Sequence, residues 1–129
     1  MSDSRRILGA EGELRAAVYL RKKGYRITAQ NVRAGGVEID IIAERGNRVV
    51  FVEVKSRRSV RFGSPESAVD ARKQARLVRG AFAWLRENPR RRARIRFDVI
   101  SCQVQAPRDA SPEIWRIRHL EGAFDASGP

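Results

Sequence analysis

Apolar residues recur with helical spacing from about Arg6 to Lys23, and Gly24 follows as a C-cap. Ala10, Leu14, Ala16, Ala17 and Leu20 form the expected apolar stripe of this helix, with Glu11, Arg15 and Lys22 opposite. Tyr25 to Asn31 reads as a short strand, and Val37 to Glu44 and Arg48 to Lys55 as two longer ones. The last of these contains Val49-Val50-Phe51-Val52, apolar on both faces, which places it centrally in a sheet. A loop with Gly63, Ser64 and Pro65 leads to a long helix from about Asp70 to Glu87, which stops before Pro89. Ala71, Ala75, Val78, Phe82 and Leu85 make its expected apolar row, widened by Leu77, Ala81 and Trp84. Ile95 to Cys102 and Ile114 to His119 read as two further strands, separated by a loop from Pro107 to Pro112. The order αβββαββ predicts an α/β sandwich with a mixed sheet. It forms one domain over residues 1–129, with about 1–8 and 121–129 expected as flexible ends.

The two central strands are joined by Gly46-Asn47, a two-residue hairpin signal that fixes their register. Arg45 faces Arg48, Glu44 faces Val49, Ile42 faces Phe51 and, counting on, Asp40 faces Glu53. Opposed residues share a face with Cβ atoms ~4.5–5.5 Å apart, so two carboxylates there repel unless a cation lies between them. A slip of one residue would put them on opposite faces. Lys55 follows Glu53 on the same face. Glu13 falls in the middle of the first helix's apolar stripe, where a carboxylate calls for a partner or a metal. Each residue alone reads as an ordinary boundary group or ion pair; the three acids and the lysine together favour a site.

The chemistry that suits this set is metal-assisted phosphodiester hydrolysis. Mg²⁺ (or Mn²⁺) takes a few carboxylate oxygens and completes its shell with waters and phosphate oxygens. Asp40 and Glu53 would bind the ion directly, the backbone carbonyl of Val54 would add an oxygen, and Glu13 would act through water. Lys55 would hold or activate the attacking water, or stabilise charge developing at phosphorus.

Composition narrows the alternatives. Lys and Arg number 27 against 15 Asp and Glu, a net charge of +12 over 129 residues, which points to a polyanion such as nucleic acid. Arg supplies 23 of the 27, a bias that codon preference would also produce. At 42% hydrophobic the chain is too apolar for a disordered basic tail. Its longest apolar runs, Ala16 to Leu20 and Ala81 to Leu85, are too short to span a membrane, and no signal peptide is expected behind Met1. The single Cys102 forms no intramolecular disulfide and fits a reducing cytoplasm. One Cys and one His cannot build a Cys/His zinc site, and no nucleotide-binding glycine motif is present.

Asp40, then twelve residues, then Glu53-Val54-Lys55 resembles the PD-(D/E)xK nuclease signature, with Glu13 on the preceding helix. The arrangement is similar to archaeal-type Holliday-junction resolvases and, more closely, resembles the bacterial YraN family of endonuclease-like proteins. The matching segments are Gly12-Glu13 with Ala16 and Tyr19-Leu20, Glu38-Ile-Asp-Ile-Ile, Phe51-Val-Glu-Val-Lys-Ser-Arg, Phe62-Gly-Ser-Pro, Ala68-Val69, Lys73 and Arg96-Phe-Asp-Val-Ile. The proline that often precedes the aspartate is Ile39 here, and Val37 stands where the YraN pattern has glycine. The resemblance implies a restriction-endonuclease-like core, a divalent metal and a nucleic-acid substrate, with Glu13, Asp40, Glu53 and Lys55 in the roles above.

Arg57, Arg58 and Arg61 leave the candidate site directly after Lys55, well placed to hold phosphates. Arg72, Arg76, Arg79 and Arg86 repeat along one side of the long helix, and Arg90, Arg91, Arg92, Arg94 and Arg96 cluster before the fourth strand. The family match gives Lys73 a supporting or phosphate-binding role. Contacts of this kind position a backbone without reading bases. The expected activity is endonucleolytic cleavage of structured or branched DNA, which a homodimer would suit. The alternatives are a non-catalytic nucleic-acid-binding module and an interaction subunit of a DNA-processing complex.

Overall fold

A computed structural model of the protein describes residues 2–58, 69–105 and 112–126. Its elements run α1 (Ser2–Lys22), β1 (Arg26–Ala34), β2 (Val37–Arg45), β3 (Arg48–Arg58), α2 (Ala71–Glu87), β4 (Arg94–Gln105) and β5 (Ile114–Phe124). The order is the one the pattern predicts, but segments 2–8 and 121–124, expected as flexible ends, are helix and strand. The strands form one sheet in the order β1-β2-β3-β4-β5, antiparallel except for the parallel pair β3–β4 across the α2 crossover. The apolar β3 is therefore central. Among the described residues no helix is long and apolar enough to cross a membrane.

Each helix covers one face. On the α1 side Ala16, Ala17 and Leu20 pack over Ile41, Val50 and Ile100; on the α2 side Ala81 and Trp84 pack over Ile42, Phe51 and Phe97. Gly24 ends α1 with φ +94°, donating to the Arg21 carbonyl while Tyr25 donates to the Leu20 carbonyl, a Schellman closure that brings Tyr25 under the helix. Asp70 caps α2 by accepting from the Lys73 amide at 2.9 Å.

Both helices are rotated from the expected faces. In α1, Leu14 is 64% exposed and Ala10 is exposed too; the buried stripe is Gly12, Ala16, Ala17 and Leu20. The reason is close approach: a Cβ on Gly12 would stand 1.9 Å from Ser56 Oγ on β3, so only the smallest residues fit under the helix. In α2 the buried row is Leu77, Gly80, Ala81 and Trp84, while Phe82 is 47% exposed and Ala71 and Ala75 face solvent. Gly80 sets this rotation, since a Cβ there would lie 3.0 Å from Val37 Cβ on β2.

Two acids are buried with full sets of partners. Asp98, on the α1 side of β4, is 1% exposed and accepts from Arg96 through two bonds of 2.8 Å and from the Gly122 amide at 3.0 Å. His119 Nε2 lies 2.7 Å from Asp98 Oδ2, and its Nδ1 lies 3.3 Å from Tyr19 Oη. Glu44 of β2 accepts from Thr28 at 2.6 Å and pairs with Arg90 at 2.8 Å and Arg26 at 3.3 Å. Arg90 and Arg96 are thus internal partners rather than members of a free basic cluster. Arg91, Arg92 and Arg94 are exposed.

Candidate active site

The hairpin places Arg45 opposite Arg48, Glu44 opposite Val49 and Ile42 opposite Phe51, as the turn predicts, with Gly46 at φ +62°. The ladder then stops one pair short of expectation: Ile41–Val52 is its last rung, and Asp40 is not paired with Glu53. The cause is a change of strand phase. Ile42 and Ile39 of β2 both pack on the α2 side, and so do Ala29 and Val32 of β1, although residues three apart in a regular strand fall on opposite faces. The two strands change phase together, because their pairing runs on in one register from Ala29–Ile42 to Ala34–Val37; the shift in register between them lies earlier, at Ile27/Ala29. Asn31, at φ +50°, stands opposite Asp40 between the rungs Gln30–Ile41 and Val32–Ile39.

Beyond this point β2 leaves β3, which continues beside β4 to Arg58. Asp40 sits in the fork. Its Oδ2 accepts from the Val54 amide at 2.8 Å, so a side chain takes the place of the missing ladder carbonyl. Glu53 is buried, on the face that alternation shares with Phe51 and Lys55. Glu13 reaches the fork from α1, positioned by the tight seat of Gly12 on Ser56.

These acids influence one another. Burial pushes the Asp40 carboxyl up to about 7, the neighbouring charge of Glu53 adds to the rise, and the Val54 hydrogen bond opposes it. Glu13 is also raised, first by burial and then by the charges of Glu38 and Glu53, against a hydrogen bond from Asn31 that favours its ionised form. Glu13 Oε1 is buried and has no hydrogen-bond partner. A groove between α1 and the β1–β2 hairpin opens onto this carboxyl, lined by Arg6, Gln30, Asn31 and Glu38 among others.

Lys73 of α2 pairs with one of these acids, its Nζ lying 3.2 Å from Glu53 Oε2. Its charge also acts on Asp40. Lys55 is half-buried two residues beyond Glu53. Of the proposed nucleic-acid contacts, Arg57, Arg72, Arg76 and Arg79 are exposed, Arg58 is ion-paired to Glu113, and Arg61 lies outside the described residues, as does the Phe62-Gly-Ser-Pro segment.

The structure therefore brings Glu13, Asp40 and Glu53 within electrostatic reach of one another, seats Lys73, which the sequence singles out, against Glu53, and adds Asn31 and Glu38 to their surroundings. The only signal for Asn31 in the sequence is its tolerance of a left-handed backbone, which no strand pattern requires. Among the described residues no three His, Cys, Asp or Glu side chains form a ready-made metal cage. The donors are all carboxylate oxygens, one of them an orphan at Glu13. Such a set suits a hard, largely hydrated cation, which takes one or two carboxylates and keeps its waters.

Similarity to other proteins covers nearly the whole chain. A UPF0102 protein of Syntrophomonas wolfei is 44% identical over 92% of this chain and 98% of its own length. One from Geobacter sulfurreducens is 41% identical over 96% of this chain and 93% of its own, and one from Rhodococcus opacus is 42% identical over 91% and 95%. The model of the uncharacterised protein family UPF0102 matches residues 12–102, a span that holds α1 from Gly12, the fork and α2. On this match and these identities, the chain belongs to the UPF0102 family, the YraN-like group that its motifs resemble.

Proposed function

We propose that this protein is a divalent-metal-dependent endonuclease of the PD-(D/E)xK type, built on a restriction-endonuclease-like core and acting on structured or branched DNA. The observation that carries the reading is the fork. Asp40 and Glu53 are drawn together where the ladder parts, and Asp40 is held near pKa 7 by burial and by its neighbour. A fold that needed only stability would have little use for such a carboxyl.

The donor set fits Mg²⁺ or Mn²⁺, with Asp40, Glu53 and the Val54 carbonyl as the residues to hold it and Glu13 acting through water. When bound, the ion supplies Lewis-acid neutralisation of charge at the scissile phosphate. The chain's own groups do the rest. The Val54 amide fixes Asp40, and Lys73 steadies Glu53. Lys55, beside Glu53, orients the attacking water or meets the charge developing on the phosphoryl oxygens. Arg57 and the exposed row Arg72, Arg76 and Arg79 supply backbone contacts that carry no sequence preference.

One observation favours a second reading. The Lys73–Glu53 pair already gives Glu53 a cation, as it would in a non-catalytic binding module of the same fold. The two readings part in a cleavage assay on labelled branched, nicked and single-stranded DNA with Mg²⁺ or Mn²⁺. A nuclease cuts at least one substrate in an ion-dependent way and loses activity in Glu53→Ala and Asp40→Asn. If wild type cuts nothing in the panel, or both variants cut equally well, the catalytic reading fails.

A further inference from the structure

Beyond the fork, β3, β4 and β5 run side by side with no break in register from Glu53 onward, so their residues line up in rows across the sheet. Paired residues share a face, and successive rows alternate between the two faces. Val54–Ile100–His119 and Ser56–Cys102–Ile117 turn toward α1, where Ile100, Cys102 and Ile117 join its core. Glu53–Val99–Leu120, Lys55–Ser101–Arg118 and Arg57–Gln103–Arg116 turn to the other face, the one from which Lys73 reaches Glu53. Strand β5 thus sends Trp115 and Ile117 to the α1 core and sets Arg116 and Arg118 on the face that carries Glu53.

We propose that this face is a track for a nucleic-acid backbone, with Arg116 and Arg118 holding its phosphates; the proposal rests on the reading of the protein as one that acts on nucleic acid, and not on cleavage. Lys55, Arg57, Arg116 and Arg118 mark the corners of a patch roughly 7 by 10 Å at the backbone, from the rise along a strand and the spacing between strands. Arg57, Arg116 and Arg118 are exposed, Lys55 is half-buried, and Ser101 and Gln103 are buried between the two sides. Neither of these two rows contains an acid, so their charges add, and a surface of one sign draws in anions. A solvated outer face would accept any mixture of polar residues. It does not account for the placement: the Lys55–Arg118 row adjoins the Glu53 row on the same face, so a backbone seated on the arginines leads on to the acids of the fork.

The test is fluorescence anisotropy of labelled branched DNA over a range of salt, with chelator present so that nothing is cut. The proteins are wild type, Arg116→Ala/Arg118→Ala, Arg118→Gln and Arg91→Ala/Arg94→Ala, with urea unfolding in parallel. Arg91 and Arg94 are exposed at the start of β4, the end of the sheet away from Arg57, so that variant removes the same charge from another place. Arg118→Gln keeps the comparison independent of any structural role of Arg116. The expected result is that both track variants keep the wild-type unfolding midpoint and bind two DNAs of one shape and different sequence equally more weakly. Their slope of log affinity against log salt should fall by about one per arginine removed, with no change in Arg91→Ala/Arg94→Ala. An unchanged slope in both track variants, or an equal fall in Arg91→Ala/Arg94→Ala, would overturn the proposal. A wild type that binds no DNA, or binds it with no dependence on salt, would overturn the nucleic-acid reading beneath it and the track with it.

Discussion

Asp98 and Asp40 are both aspartates of interior strands and both lose water on folding, yet their carboxyls shift in opposite directions. Burial alone would raise Asp98, but hydrogen bonds from His119, Arg96 and the Gly122 amide outweigh it and hold the group below its ordinary value. Asp40 has one backbone donor against burial and two neighbouring acids, and it rises. The difference lies in the partners. Where the sheet needs an acid for architecture, it surrounds it with donors and a guanidinium. At the fork it gathers acids and leaves them short of donors, the imbalance on which the proposed divalent-ion site rests.

The largest effect should come from breaking the satisfied network. Asp98→Ala would leave Arg96 and His119 without their buried partner, and urea unfolding should show a loss of about 3–5 kcal/mol. A loss below about 1 kcal/mol would mean that the network is not structural. Gly12→Ala comes next. Its methyl would collide with Ser56 Oγ, costing about 1–3 kcal/mol of overpacking, and Ser56→Ala in the same chain should recover much of it by removing the contact at 1.9 Å. Failure of that rescue would break the link between Gly12 and the seating of α1.

Asp40→Asn should act in the reverse sense to Asp98→Ala. The folded-state value of about 7 lies above the ordinary 3.8, so the folded chain holds an extra proton between these values and wild-type stability falls as pH rises through that window. Asparagine does not titrate. The variant should therefore be more stable than wild type at pH 8, by roughly 1–3 kcal/mol, and the gap should close toward pH 4. A destabilised Asp40→Asn at pH 8 would place Asp40 among the structural acids.

The smallest effect on stability sharpens the same contrast among the arginines. Arg90 and Arg96 are held by buried acids, whereas Arg72, Arg76 and Arg79 are exposed on α2. Changing all three exposed residues to Ala should leave the unfolding midpoint nearly unchanged, about 0.5 kcal/mol or less per site. It should also reduce the salt dependence of DNA affinity by up to about three phosphate contacts. An unchanged salt slope would remove α2 from the nucleic-acid surface.

Much of the fold is legible in the chain because its punctuation is strong. Gly24, Gly46-Asn47 and Asp70 mark element ends that the structure keeps. The parting at Asp40 is not legible, for a specific reason. Ile39, Ile41, Ile42 and Ala43 are all buried, so β2 is apolar on both faces and its alternation carries no phase that a reader could see reverse. The helix faces mislead in a related way: Leu14 and Phe82 are apolar but outward, while the true seams are set by the glycines Gly12 and Gly80. Arg90 and Arg96 look like members of a basic run until Glu44 and Asp98, distant in sequence or hidden between apolar neighbours, take them up. The convergence of Glu13 with Asp40 and Glu53 is the part of the site that spacing anticipates; Asn31 depends on a backbone conformation that spacing does not encode.

The most direct test is a calorimetric titration of the wild-type chain with Mg²⁺ or Mn²⁺ at pH 8, beside Asp40→Asn, Glu53→Ala and, as a control, Arg72→Ala. We expect binding in the wild type and the control, and its loss in both fork variants. Binding that survives both fork substitutions, or no binding in the wild type, would contradict the proposal that the acids of the fork hold a divalent cation.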